Sequence, residues 1–114
     1  ADPSKLKFDL AFSHLAAKEM EVGRYYLKSG HYGAAVNRFR VVIEDFQTTS
    51  QTPEALHRLV EAYLSLGLVD EAQSAAAILG HNYQSSEWYR ASLPMQRKEV
   101  AGKIAMKGSS RNDH

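Results

Sequence analysis

The sequence of 114 residues contains no cysteine, only three prolines and almost no excess of charge of either sign. Without cysteine, the chain forms no disulfide bridge, thiolate metal site or cysteine nucleophile. A formal net charge of +1 produces no global field that attracts nucleic acid or an anionic membrane. No stretch approaches the roughly 20 apolar residues that cross a bilayer, and the first residues hold no signal-like apolar run. These absences disfavour disulfide-rich, dedicated nucleic-acid-binding and membrane-spanning classes.

An internal repeat organises the chain, whose 44% hydrophobic content suits a packed core. Three residues recur 37 positions later: Tyr26, Gly30 and Ala35 as Tyr63, Gly67 and Ala72. Each copy has apolar residues at helical spacing, and no stretch alternates as a strand does. We therefore predict an all-α helical solenoid with two helix-turn-helix repeats, at about 16–51 and 52–86, and a C-terminal capping helix at about 86–107.

Local signals predict where the helices begin and end. Gly30 and Gly67 tolerate the left-handed conformation that closes a helix C-terminus. In Thr52-Pro53-Glu54, a side-chain acceptor, a proline and an acid stand where a helix start favours them, with Thr52 as the expected cap. Ser85 and Ser86 are expected to cap the last helix, and Pro94 to kink or restart it.

The domain limits follow from the same pattern. We expect residues 5–107 to form a single domain. Residues 1–4 are expected to be a linker or an added segment. Residues 108–114 lack periodicity and are expected to be a disordered tail.

The first helix, predicted from about Ser4 to Ser29, shows an amphipathic pattern. Its apolar stripe consists of Phe8, Phe12, Leu15, Val22 and Tyr26. Glu19 interrupts this stripe, so it is expected either to pair with a cation such as Arg38 or Arg40, or to lie at the rim. Small residues, Gly23 in this helix and Ala35 in the next, are expected to let two helix backbones approach closely.

The repeat resembles the tetratricopeptide repeat. Six positions of the first copy match that signature: Gly23, Tyr26, Gly30, Tyr32, Ala35 and Phe39. The usual period of about 34 residues is exceeded here by a longer loop between the copies. From about Leu15 to Tyr89, and above all in KEMEVGRYYLKSGHYGAAVNRF, the chain is similar to the C-terminal repeats of alphaproteobacterial members of the BamD family. These are tetratricopeptide lipoproteins of the outer-membrane β-barrel assembly machinery.

The resemblance implies a non-catalytic scaffold at the periplasmic face of the outer membrane. Its implied partners are the periplasmic POTRA domains of BamA and accessory lipoproteins. The lipid-modified anchor cysteine and the N-terminal repeats would lie outside this sequence. By similarity to the family's Val-Asn-Arg segment, Arg38 is expected to meet a POTRA domain, with Asn37 and Arg40 beside it.

The residues themselves offer little for catalysis or metal binding. Five histidines are scattered without a His-x-x-x-His pair, so we expect them to face solvent or cap helices and predict no metal site. Adjacent acids such as Glu44 and Asp45 point different ways on a helix, which disfavours a shared acid-base site. We therefore expect neither a catalytic residue nor a cofactor.

A groove lined by the first helices of the two repeats is the competing binding surface. Its predicted lining is Met20, Arg24, Leu27 and Lys28 in the first copy and His57, Glu61, Leu64 and Ser65 in the second. Mixed charge with aliphatic residues suits an extended peptide or a domain edge. The alternative function is thus a generic tetratricopeptide adaptor that binds a peptide in this groove. A third hypothesis is a helical domain that binds nucleic acid through the basic residues.

Overall fold

The computed structural model describes residues 3–95, with side chains from residue 7 onward. Four helices follow one another: α1 (Pro3–Lys28), α2 (Tyr32–Asp45), α3 (Thr52–Ser65) and α4 (Val69–Asn82). Helical backbone resumes at residues 87–95, here called α5, and this part of the chain contains no strand. Successive helices pack as antiparallel pairs, and α1 also touches α3. The predicted all-α tetratricopeptide solenoid is confirmed.

Glycine ends the first helix of both repeats in the same way. Gly30 and Gly67 have φ angles of 81° and 77°, in the left-handed region that side chains with a Cβ rarely adopt. The next amide reaches back to a tyrosine carbonyl in each case, at 2.9 Å from His31 to Tyr26 and 2.8 Å from Leu68 to Tyr63. This Schellman pattern satisfies carbonyls that a helix end leaves unpaired. The predicted helix ends are therefore confirmed.

Small residues bring α1 and α2 close together, as predicted. A Cβ placed on Gly23 would lie 2.5 Å from Cε1 of Phe39, so only glycine leaves room for that ring. Ala35 is fully buried, and its counterpart Ala72 is 2% exposed. At the positions equivalent to Gly23 and Phe39, the second repeat has Val60 and Ala76, both buried. In the first repeat the small residue is on the first helix and the large one on the second, whereas in the second repeat this order is reversed.

The apolar stripe predicted for α1 does not form its main buried face. Phe8 is 63% and Leu15 is 53% exposed, whereas Ala16 and Met20 are fully buried. The side of α1 with small residues faces α2, because only small residues allow the two helices to approach closely. The predicted apolar stripe lies about a quarter turn around α1 from that buried side. Met20 accordingly belongs to the core and not to the groove lining where the pattern placed it.

Of two predicted helix caps, the one at Thr52 is absent and the one at Ser86 is present. Thr52 does not act as a capping acceptor: its hydroxyl lies 3.1 Å from the Gln47 carbonyl and 3.3 Å from that of Phe46, so it donates back to the preceding turn. Ser86 does cap α5, because its Oγ accepts the Trp88 amide at 3.2 Å. Helical backbone continues through Pro94 to residue 95. The rest of the predicted C-terminal helix and the predicted tail lie outside the described residues.

Candidate interaction surfaces

A groove runs between the first helices of the two repeats. It has a volume of about 570 Å³ and is lined by Glu21, Arg24, Tyr25, Leu27, Lys28, Arg58 and Glu61. The structure thus brings together Arg24, Lys28 and Glu61, three of the residues predicted to bind a partner. Tyr25 is 68% exposed and adds an aromatic surface to the wall.

Ion pairs already engage most charges of this groove. Arg24 on α1 contacts Glu54 on α3 at 3.1 Å, and Glu54 also accepts from Arg58 at 3.3 Å. Arg58 in turn contacts Glu61 at 3.2 Å. Among the residues that the structure describes, Lys28 makes no ion pair. The groove therefore presents a nearly neutral surface in which Lys28 and Glu21 are the lining charges without an ion pair among the described residues.

His57 lies beneath this groove and does not line it. Its side chain is 7% exposed, with Nδ1 at 2.8 Å from Ser92 Oγ and Nε2 at 2.8 Å from Glu61 Oε1. The Trp88 ring of α5 lies 5.2 Å from the imidazole. The expectations that His57 faces solvent and binds a partner in the groove are corrected, because α5 covers this end of α3.

The linkage of Ser92, His57 and Glu61 has the connectivity of a serine-histidine-acid triad. Ser92 is 0% exposed, however, and its hydroxyl donates to the Trp88 carbonyl at 2.9 Å. A fully buried hydroxyl offers no route for a substrate. The cluster is a polar junction between α3 and α5, and every buried side-chain nitrogen and oxygen in the described residues has a hydrogen-bond partner.

Glu61 is the titratable group that this junction perturbs. Burial raises its pKa, but the hydrogen bond from His57 and the positive charge of Arg58 outweigh burial. The pKa of Glu61 therefore lies below its ordinary value. The carboxylate form is the one that the folded junction prefers.

The predicted cluster of Asn37, Arg38 and Arg40 is divided between two sides of α2. Arg38 Nη1 contacts Glu19 on α1 at 3.2 Å, which confirms one of the two expectations for that acid. Arg40 instead pairs with Glu44 of its own helix at 3.0 Å. Asn37 is exposed. Residues two apart on a helix point about 200° apart, so the two arginines do not act on one surface.

Sequence reasoning missed Glu54, Arg58, Trp88 and Ser92 as parts of the site. The spacing of Glu54, Arg58 and Glu61 at four and three residues is a readable signal for ion pairs along one helix face. No local signal connects Ser92 to His57, because they lie 35 residues apart and meet only through the packing of α5.

Neither a metal-binding cluster nor a membrane-spanning helix is found in the described part of the chain. Within residues 3–95, no group of three or more histidine, aspartate and glutamate side chains is arranged to hold a metal ion. None of the helices in that range is both long enough and apolar enough to cross a membrane.

Comparison with known proteins gives consistent matches. The family model of YfiO, described as an outer membrane lipoprotein, matches residues 4–78. The chain is 54% identical over 89 residues to the outer membrane protein assembly factor BamD of Caulobacter vibrioides, covering 78% of this chain and 29% of that protein. It is 55% identical over 86 residues to the BamD of Rickettsia prowazekii, covering 75% of this chain and 34% of that protein.

A more distant relative is the BamD of Neisseria meningitidis, 39% identical over 72 residues. The chain spans about a third of the length of the curated relatives that it matches. The similarity to alphaproteobacterial sequences and the association with the outer membrane agree with the expectations from the sequence. This chain is similar to the BamD assembly factors along most of its own length, and it belongs to the YfiO family of outer membrane lipoproteins.

Proposed function

We propose that this chain is a non-catalytic binding module of the outer-membrane β-barrel assembly machinery, at the periplasmic face of the membrane. Its proposed partners are the POTRA domains of BamA and accessory lipoproteins, and the full-length protein would be lipid-anchored. The names of the relatives, outer membrane protein assembly factors, support a role in assembly. A stack of helix pairs that buries its polar groups among themselves suits a scaffold.

The observation that carries the proposal is the exposure and partial hydrogen bonding of the Arg38 guanidinium group. Its side chain is 43% exposed, and Glu19 holds it through Nη1 alone. Its Nε and Nη2 groups make no hydrogen bond to the residues that the structure describes. An arginine fork that is already oriented by one carboxylate loses less conformational entropy when a second carboxylate binds. Arg38 is therefore a suitable anchor for an acidic side chain of a POTRA domain, with exposed Asn37 beside it.

The test is the affinity of the chain for the purified POTRA segment of BamA from the same organism, measured by isothermal titration calorimetry. Arg38→Glu should weaken binding about tenfold or more, because reversing the charge turns attraction into repulsion. Arg38→Lys should give an intermediate loss, since lysine keeps the charge but not the bidentate fork. Circular dichroism should show unchanged helix content, because a partly exposed ion pair contributes about 0 to 1 kcal/mol to stability.

Arg24→Glu is the matched control. It also reverses one arginine that pairs with a glutamate, but on the groove between α1 and α3. If Arg38→Glu binds the POTRA segment as the unchanged chain does while Arg24→Glu fails, the Arg38 assignment is wrong. That outcome supports the alternative function, an adaptor that holds a peptide in the groove, which the unpaired Lys28 and exposed Tyr25 favour. Arg40, on the opposite side of α2, should tolerate reversal in either case.

A further inference from the structure

A second cleft lies on the other side of α3, where α2 and α4 flank it. Its apolar lining comes from all three helices and consists of Ile43, Leu56, Leu59, Tyr63, Ala75 and Ile78. Leu56 and Leu59 form a buried floor at 1% and 4% exposure, whereas Ile78 is 44% exposed at the edge. The aliphatic surface that water reaches therefore lies at the edge of the cleft, between two helices, α2 and α4, that do not contact one another.

The rim of this cleft is acidic. Glu44 stands on the α2 side, and Asp70 and Glu71 stand in the first turn of α4. Arg40 is the one base on the rim, and Glu44 pairs with it at 3.0 Å. Asp70 and Glu71 are exposed and form no ion pair with other residues in the described range. One base against three acids leaves two negative charges next to the apolar floor.

The size of the cleft limits what it accepts. Its volume of about 270 Å³ accommodates one or two side chains, and no whole helix. The combination of an aliphatic floor and an acidic rim matches a lysine or arginine, whose alkyl stem covers apolar surface while the charged head remains at the rim. A neighbouring leucine or isoleucine would complete the filling of the floor.

We propose that this cleft between α2 and α4 docks a basic, amphipathic segment of a partner protein, with an aliphatic side chain on the floor and a lysine or arginine at Asp70 and Glu71. Charge complementarity selects this occupant: an acidic segment is repelled, and a neutral one leaves the two carboxylates uncompensated. The inference does not depend on the role of Arg38, which lies on the side of α2 that faces α1.

Fluorescence anisotropy tests the proposal with a fluorescein-labelled peptide of twelve residues in which leucine and lysine alternate. We expect the full chain to bind it, and a leucine-glutamate peptide of the same length to bind at least about tenfold more weakly. The pair Asp70→Asn and Glu71→Gln should weaken binding of the leucine-lysine peptide about tenfold. Ile78→Ser, at a partly exposed position, should also weaken it, because binding then buries less apolar surface.

A charge-matched control separates docking from general attraction. Asp9→Asn with Glu87→Gln removes the same two negative charges at exposed positions that line neither cleft nor groove, and should leave the affinity within about twofold. Equal losses for the two pairs of substitutions would overturn the proposal, as would undiminished binding by the Asp70 and Glu71 pair. Arg38→Glu should bind the peptide normally, which distinguishes failure here from failure of the proposed function.

The NMR signals of the Ile43 and Ile78 methyl groups show whether the peptide or a second copy of the chain occupies the cleft. In NMR spectra of isoleucine-labelled protein, both δ1 signals should shift when the leucine-lysine peptide is added. If they shift instead with protein concentration in the absence of peptide, the occupant is a second copy of this chain and the proposal of a basic partner segment is wrong.

Discussion

At the scale of single residues, the repeats depend on exchanged volumes across one helix contact. Gly23 makes room for Phe39 in the first repeat, whereas Val60 and Ala76 occupy the equivalent positions in the second. A core at crystal-like packing density tolerates no added methyl group where a ring already fills the space. Glycine at residue 23 is thus required by tertiary packing and not by backbone conformation.

Gly23→Ala should destabilise the chain by about 1 to 3 kcal/mol, because the new Cβ overlaps the Phe39 ring. Gly33→Ala is the control: it lies in the first turn of α2, its Cβ meets nothing within 4 Å, and the substitution should not destabilise the chain. Urea unfolding followed by circular dichroism measures both changes. Equal effects of the two substitutions would contradict the packing described for α1 and α2.

At the scale of helices, charged and polar side chains connect three elements along one line. The line runs from Arg24 on α1 through Glu54 and Glu61 on α3 to Ser92 on α5. His57 and Arg58 both contact Trp88, at 5.2 Å between rings and 5.3 Å from the guanidinium carbon to the ring centre. We therefore expect the docking of α5 to depend on the charge state of α3.

Acidification should loosen the junction between α3 and α5. The pKa of Glu61 is lower in the folded chain than in the unfolded one, so its stabilising contribution is present above the unfolded pKa and is lost as the pH falls through the folded pKa. Trp88, the sole tryptophan, reports on this junction by its fluorescence. Thermal unfolding followed at Trp88 should show a midpoint that decreases as the pH is lowered from 7 toward 3.

Glu61→Gln should remove part of that pH dependence and cost about 1 kcal/mol at neutral pH, because glutamine keeps one hydrogen bond but not the charge. Glu21→Gln, an exposed acid in the interior of α1 without an ion pair in the described residues, should leave the pH profile unchanged. The same loss of pH dependence in both variants would show that the acid-sensitive group is elsewhere.

At the scale of the whole molecule, the helices pack almost entirely on their neighbours in the chain. The helices α2 and α3 have packed neighbours on both sides, whereas residues 7–11 of α1 are exposed on every side. Stability in such arrays is approximately a sum of local terms and of contacts between adjacent units. The resistance to local opening should therefore differ along the chain.

Native-state hydrogen exchange should show this gradient. Backbone amides in the middle of α2 and α3 should exchange slowest, and those in the N-terminal part of α1 should exchange fastest. The physical reason is that opening the end of α1 exposes little buried apolar surface, whereas opening α2 or α3 breaks two helix interfaces. Uniform protection across all helices would instead indicate a single cooperative unit.

Features that act within one helix or one turn could be predicted from the sequence. The repeat of Tyr26, Gly30 and Ala35 predicted the helix pairs, because a glycine stop and a helical period operate among residues a few positions apart. The same local pattern carried the resemblance to the family. It also identified Gly23 as a point of close approach and Glu19 as a candidate partner of Arg38.

Which face of each helix is buried, and which charges meet, depends on long-range packing and could not be predicted from local patterns. Met20 is in the core, Leu15 is exposed, and His57 is covered by α5, although their local patterns indicated otherwise. These outcomes depend on the rotation of one helix against another, which long-range packing sets. The groove, the acidic cleft and the junction at Ser92 are likewise made of residues from different helices, so no single stretch of sequence contains them.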